Sequence, residues 1–490
     1  METSPAYQPA TAFADLGDAF SDPVTAATFP EHRLRFRNQR AAASVGLELL
    51  SDQDWENAFA RFQPLPRNMP APRAIRYHGH QFRVYNPDIG DGRGFLFAQM
   101  RDTRGRLLDL GTKGSGQTPY SRFGDGRLTL KGAVREILAS EMLEAQGVKT
   151  SRTLSVFETG ESLQRQDEPS PTRSAVLVRL QHAHVRIGIF QRLAFFEERE
   201  NMARLVDHCI DAYYPHLSDT HGDARIIAFL DAAIGANARL AGQWMAAGFV
   251  HGVLNSDNMT VTGESFDYGP WRFLPTSDPG FTAAYFDHQG LYAFGRQPQS
   301  VGWNLAQLGA SLLLLAPEEK LIPVLETYGA RYSHALRDAM FTRLGITPTD
   351  LESDLAFLTV LFEWMTQSQI GWSQFFHDWF CGAASAARAK QSPAKAHYDA
   401  AGFQDVRAML EARTPARPER LDAAILQQPV PPSVLIDDVE SLWAPIAAED
   451  DWRAFDAKLA EITALRDALD IHSAVNLHAF ERTIAAPQAA

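Results

Sequence analysis

The sequence predicts an α+β chain, with a strand-rich segment at residues 76–190 and a helical segment at residues 191–390. Two observations set this division. From Arg76 onward, short apolar runs alternate with turns rich in Gly, Asn and Asp, as strands and hairpins do. From Ile226 onward, apolar residues recur at helical spacing over long runs. A third observation places a site in the helical segment: His251-Gly-Val-Leu-Asn-Ser-Asp-Asn258, followed by Asp267-Tyr268-Gly269. Val253, Leu254, Met259 and Val261 flank its polar positions, so the loop leaves a core and re-enters it. Oxygen donors from Asn258 and Asp267 suit a hard divalent cation and leave room for phosphate oxygens.

Each segment follows from its own residues. Residues 1–75 read as an extension. An irregular arm rich in Ala, Pro, Thr and Asp leads to residues 31–62, whose helical spacing packs Trp55, Phe59 and Phe62 on the main body. Next come Tyr77-His-Gly-His-Gln-Phe82, the turn Asp88-Ile-Gly-Asp-Gly-Arg93, a strand over Phe95–Met100 and another over Leu107–Lys113. Gly90, Gly92 and Gly94 let backbone amides approach a ligand closely, although, taken alone, an ordinary glycine-rich hairpin turn is the commoner explanation. Lys113 is one of only seven lysines against 39 arginines. It follows a buried strand among glycines, where it is either a point charge for phosphate or a solvated strand end. Residues 132–147 read as a helix with Glu136 on the same stripe as Ala133, Ser140 and Leu143. Glu136 is therefore either an inward partner for Lys113 or a surface acid.

The stretch from Gly114 to Gly126 is dense in glycine and hydroxyls and too irregular for a helix or strand. A segment of this kind inside a compact domain is usually functional, and Asp125-Gly126 suits the edge or sugar of a nucleotide. The strand pattern resumes from Arg173 through Phe190. It carries Arg179 and Arg186, each able to fork onto phosphate oxygens or to lie on a strand surface. Ile226–Gly248 reads as one or two helices and Trp303–Ala316 as another. The aromatic density over Leu351–Phe380 reads as core. Residues 391–490 read as a Pro/Ala/Arg-rich connector and further C-terminal helices, including Trp452–Leu469.

Composition narrows the function classes. A net charge of −13 argues against a general binder of nucleic acid or anionic membrane. Cys209 and Cys381 are the only cysteines and lie far apart, so neither a disulfide framework nor a Cys-based zinc site is implied. No run is long enough for a membrane span, and the N-terminus has acidic residues early with no apolar signal core. A cytoplasmic, reducing location and a monomeric chain are expected.

The loop at 251–269 resembles the catalytic and metal loops of protein kinases, in which His-x-Asp-x-x-x-x-Asn precedes Asp-Phe-Gly. Here His251 and Asn258 fit, and Asp-Tyr-Gly replaces Asp-Phe-Gly. The usual base position is Val253, which accepts no proton. Either the chain is a dead kinase or another carboxylate acts, and Asp257 is the candidate. A wider resemblance is carried by Gly79–Phe82, Gly90–Arg93, Gly111–Arg122, Arg135-Glu136, His251–Met259 and Asp267–Pro270. It extends through Asp278–Phe281, Asp287–Gly295 and Gln297-Pro298. On these motifs the chain resembles the selenoprotein O family, also called SelO or YdiU.

That resemblance implies a protein-kinase-like bilobal fold with an N-terminal extension and additional C-terminal helices. It implies transfer of AMP, not phosphate, from ATP to Ser, Thr or Tyr hydroxyls of proteins, with ATP flipped relative to a kinase and pyrophosphate released. By matching position, Gly90, Gly92 and Arg93 belong to the nucleotide-binding loop. Lys113 binds phosphate and pairs with Glu136, and Asp125 and Gly126 contact the nucleotide. Arg179 and Arg186 hold phosphate, Asp257 is the base, and Asn258 and Asp267 hold Mg2+ or Mn2+. Expected partners are ATP and proteins bearing hydroxyl side chains, with no nucleic acid and no membrane. The alternatives are conventional phosphoryl transfer in the same fold and a non-catalytic nucleotide-binding scaffold. Two departures stand out. Arg83 replaces an expected glycine. No cysteine follows Cys381, so redox control through a terminal cysteine is not expected.

Overall fold

The computed structural model describes residues 1–166 and 168–471. In chain order its strands begin with β1 (Gln8–Ala10), β2 (Ser21–Pro23), β3 (Arg33–Arg37), β4 (Arg73–Ile75), β5 (Gly79–Gln81) and β6 (Val84–Asn86). They continue with β7 (Leu96–Arg101), β8 (Leu107–Lys113), β9 (Leu128–Thr129), β10 (Arg152–Leu163) and β11 (Thr172–Gln181). An antiparallel sheet runs β2-β4-β7-β8-β11-β10-β3, with β1 added on β7 and β9 on β11. The alternation of side chains across a strand explains why the central strands read as unbroken apolar runs. Leu108, Leu110, Val176 and Val178 face one core, whereas Leu107, Ala175 and Leu177 face the other. The first core is closed by Trp55, Phe59 and Phe62, as the spacing of those aromatics predicts.

The N-terminal region departs from the expectation of an irregular arm. β1 and β2 are woven into the sheet, and Arg33–Arg37 is a strand paired with β10, not part of a helical run. Helices occupy only Gln39–Ala43 (α1) and Asp52–Phe59 (α2). Basic residues alternate along β3, and neighbouring helix formers mask that short pattern.

The helix read at 132–147 is α3 (Leu130–Ala145), whose N-cap Thr129 accepts from the Gly132 amide. Its inner face packs on β10 and β11. The strand pattern expected to run to Phe190 stops at Gln181, and α4 (Ile187–Phe195) begins directly after Arg186. A Cβ on Gly188 would lie 2.2 Å from the His78 carbonyl oxygen, so the new helix packs directly on backbone. α5 (Arg199–Tyr213) follows, then α6 (Gly222–Ala247), a single helix that ends at Gly248 with φ 64°. α7 (Gln297–Leu312) starts earlier than the apolar pattern suggests because Pro298 serves its first turn.

A third core gathers Phe357, Leu361, Trp364, Trp372, Phe375, Phe376 and Trp379, so the aromatic density there is core. The Pro-rich stretch after residue 391 carries short helices, and two longer ones close the described chain, Ile436–Glu449 and Arg453–Leu469. The terminal segment that lacks a cysteine lies outside the described residues. No helix among the described residues is long and apolar enough to cross a membrane.

Candidate active site

A cleft of about 670 Å³ opens between the sheet and the loop at 251–269. Strand register aims its cations. Arg179 pairs with Gly111 across β11 and β8, so Arg179 and Lys113 leave the sheet on the same face. Lys113 is buried, and its Nζ donates to Glu136 Oε2 at 2.7 Å. Glu136 is therefore the inward partner and not a surface acid. Lys113 Nζ also lies 3.0 Å from Asp267 Oδ1. Arg179 Nη1 stands 3.6 Å from Glu136 and 3.5 Å from Asp267. Arg186 Nη1 stands 3.9 Å from Asp267 Oδ2. The ring of Phe266 lies under both guanidinium groups, at 5.2 and 4.9 Å.

Asp267 is the hub of this cluster. Burial alone would raise its carboxyl, but Lys113, Arg179, Arg186 and Arg93 hold it well below the usual carboxylate range. Its φ of 59° is the left-handed conformation that turns the side chain back toward the cations. His251 fixes the loop from below, its Nε2 lying 2.9 Å from the Phe266 carbonyl oxygen.

Asp257 sits in a short turn, Ser256–Asn258, gripped from several sides. The β5–β6 hairpin donates the His80 amide to Ser256 Oγ at 2.7 Å and the Phe82 amide to Asn255 Oδ1 at 3.0 Å. From α7, Asn304 donates to the Leu254 carbonyl at 2.8 Å. Arg186 Nη1 donates to the carbonyl of Asp257 itself at 2.8 Å. The Asp257 side chain lines the cleft, and its Oδ1 is buried with no hydrogen-bond partner. Burial pushes its carboxyl up to about 6, against the opposing pull of Arg186. Asn258 donates its amide to the Val253 carbonyl at 3.0 Å, so backbone at the usual kinase base position orients the neighbouring metal-type ligand.

The glycine loops border the cleft and are closely packed. A Cβ on Gly90 would meet the Tyr120 ring at 2.4 Å, one on Gly92 the Tyr120 carbonyl at 2.9 Å, and one on Gly94 the Thr112 carbonyl at 2.0 Å. Gly90 and Gly92 let the two loops of the cleft, 88–94 and 114–126, pack on each other, and Gly94 lets the first loop pack on β8. Gly126, at φ 70°, similarly lies on Gly116. Arg93 lines the cleft beside them, and Asp125 at the rim pairs with Arg165 at 2.8 Å. The two-residue turn Phe82-Arg83 has φ of 49° and 64°, as a type I′ hairpin requires. Glycine adopts that conformation freely, and Arg83 is seated there over the Trp303 ring at 5.5 Å.

Among the described residues no cluster of three or more His, Cys, Asp or Glu side chains is placed to hold an ion alone. Magnesium commonly takes one or two carboxylates and completes its shell with phosphate oxygens and water. Asn258, the partly accessible Asp267 and the unpartnered Oδ1 of Asp257 fit that composition.

A family model described as protein adenylyltransferase SelO matches residues 4–463. The chain belongs to the SelO family. Family membership makes it a nucleotidyltransferase. A Synechocystis protein named protein nucleotidyltransferase YdiU is 44% identical over 465 residues, covering 92% of this chain and 96% of the relative. Relatives of the same name from Synechococcus elongatus and Gloeobacter violaceus are each 44% identical over 92% of this chain, covering 94% and 93% of their own.

Gly90, Gly92, Arg93, Lys113, Asp125, Gly126, Arg179, Arg186, Asp257 and Asp267 all line the one cleft of this SelO-family chain. Glu136 stands behind Lys113, and Asn258 lies beside Asp257 without lining the cavity. Sequence reasoning missed Asp91, Tyr120 and His184. His184 lines the cleft with Nδ1 3.1 Å from Asp109 Oδ2 and a buried, unpartnered Nε2. Its two-residue spacing from Arg186 was the available signal.

Proposed function

We propose that the protein transfers AMP from ATP to Ser, Thr or Tyr hydroxyls of other proteins, on a kinase-like bilobal scaffold that holds ATP flipped. The observation that carries this reading is one arrangement. Three cations, Lys113, Arg179 and Arg186, surround Asp267, while Val253 takes the kinase base position and the Asp257 carboxylate faces the cleft. A flipped nucleotide brings the α-phosphate to Asp257 and gives the far phosphates to the arginines. The acceptor hydroxyl oxygen attacks the α-phosphorus, and the bond from that phosphorus to the bridging oxygen of the β-phosphate breaks. Asp257 takes the hydroxyl proton, and pyrophosphate leaves. A carboxylate poised near pH 6 suits this task at neutral pH. Lys113 and the arginines offer preorganised positive charge where phosphate charge is held or released. Asn258 and Asp267 would hold Mg2+ or Mn2+, which supplies charge neutralisation at the phosphate oxygens.

Two buried free cysteines support a reducing, cytoplasmic setting, and the net charge of −13 supports protein partners over nucleic acid or an anionic membrane for a chain proposed to act as a monomer. The test is incubation with Mg2+ and ATP labelled separately at the α and γ positions. Protein label from α alone with pyrophosphate release is expected. Label from γ alone would mean phosphoryl transfer, and ATP binding without either label would favour a nucleotide-binding scaffold.

A further inference from the structure

Asp91 lies between the two glycines of the nucleotide loop and is buried. Its carboxylate is divided between two partners. Oδ2 accepts the Ile75 amide at 3.0 Å, and Oδ1 faces Arg186 Nη2 at 3.3 Å. Its backbone carbonyl accepts the Thr118 hydroxyl from the facing loop. The other end of the same guanidinium, Nη1, donates to the Asp257 carbonyl at 2.8 Å. Tyr77 and Phe266 lie against the guanidinium at 4.7 and 4.9 Å. Arg186 is thus a rigid fork with one prong on Asp91 and one on the base turn.

We infer that Asp91 is a positioning residue. It holds Arg186 across the cleft so that the Asp257 turn is fixed with respect to the nucleotide loop. A fork held at one prong only is free to follow the phosphates. Held at both, it ties the loop that receives the nucleotide to the residue that takes the proton. The inference rests on the transfer reading above, but it does not depend on which phosphate is transferred.

The test is a double-mutant cycle of Asp91→Asn with Arg186→Ala in the full chain. Asparagine keeps an oxygen for the Ile75 amide and turns an N–H donor toward Arg186, so the fold is retained while the prong is released. Misplacement of a reacting group by about 1 Å costs up to about 100-fold. Asp91→Asn is expected to lower kcat about 10- to 100-fold, scored as label from either phosphate, with KM for ATP changed less than about threefold. In the Arg186→Ala background the same substitution should change kcat by less than about twofold, because its effect runs through that arginine. Amide exchange over residues 251–262 should rise in each single variant and no further in the double, a readout that needs no turnover. Additive losses, a rise in KM that matches the fall in kcat, or unchanged exchange over 251–262 would overturn the inference. Label appearing from γ instead of α would overturn AMP transfer and leave the cycle intact.

Discussion

Asp257 and Lys113 separate chemistry from binding at the scale of single side chains. Asp257 meets the rest of the protein through its backbone carbonyl and a side-chain hydrogen bond with Gln81, while its Oδ1 faces no partner. Asp257→Asn should therefore reduce transfer about 100- to 10,000-fold, the range of general-base catalysis, and leave ATP affinity nearly unchanged by calorimetry. Transfer by this variant at the wild-type rate would remove Asp257 as the base. Lys113 is held by two carboxylates, Glu136 and Asp267. Lys113→Ala leaves both without their ammonium and should weaken ATP binding as well as transfer; intact binding would contradict the role given to it. These residues are legible in the sequence because each breaks its local rule: a lysine at the end of an apolar strand, an acid on an apolar helix stripe. Asp91 breaks none. An aspartate between glycines is an ordinary turn residue, and only the fold brings Arg186, 95 positions away, against it.

Among the elements, the sheet edge is joined to a C-terminal helix by a network no motif announces. Glu158 of β10 takes Arg35 of β3 and Arg173 of β11, and both arginines reach Asp450 at the end of the helix Ile436–Glu449. Burial would raise the Glu158 carboxyl, but hydrogen bonds from Arg173 and Arg35 hold it below its usual value. A depressed carboxylate contributes stability that is complete above its unfolded-state value, about 4.3, and fades as pH falls through the lower folded value. Glu158→Gln should cost on the order of 2–3 kcal/mol at pH 7 by denaturant unfolding. The gap to wild type should narrow below about pH 4.3; a gap that stays constant to pH 3 would mean that the charge is irrelevant. The strands β8 and β11 are readable from composition because they are buried on both faces. The short ones are not, since three residues give no period. Val185, Ile187 and Ile189 alternate like a strand, yet Ile187–Phe195 is a helix, with Gly188 in close contact with the His78 carbonyl.

The whole molecule depends on a segment that the sequence presents as an arm. Residues 1–30 lack apolar periodicity, so their strands exist only because the edges of β4 and β7 are there to receive them. Their placement bears on function. The Ala27 amide donates to the Ser115 carbonyl at 2.9 Å, which ties the arm to the loop that roofs the cleft. The Asp22 carboxylate accepts Arg76 Nε at 2.9 Å and the Tyr120 hydroxyl, and the Tyr120 ring is what Gly90 packs on. The arm thus acts as a strap: its acid sets the tyrosine, the tyrosine seats the glycine loop, and the loop forms one wall of the cleft. Asp22→Ala should raise the Kd for ATP about tenfold, equivalent to about 1.4 kcal/mol, although Asp22 does not line the cavity. Tyr120→Phe removes the same hydrogen bond and keeps the ring against Gly90, so it should reproduce only part of that loss. Calorimetric titration of both variants with ATP decides the matter. An unchanged Kd for Asp22→Ala would reduce the arm to an edge cover for the sheet, whereas equal losses in the two variants would assign the whole effect to the tyrosine hydroxyl.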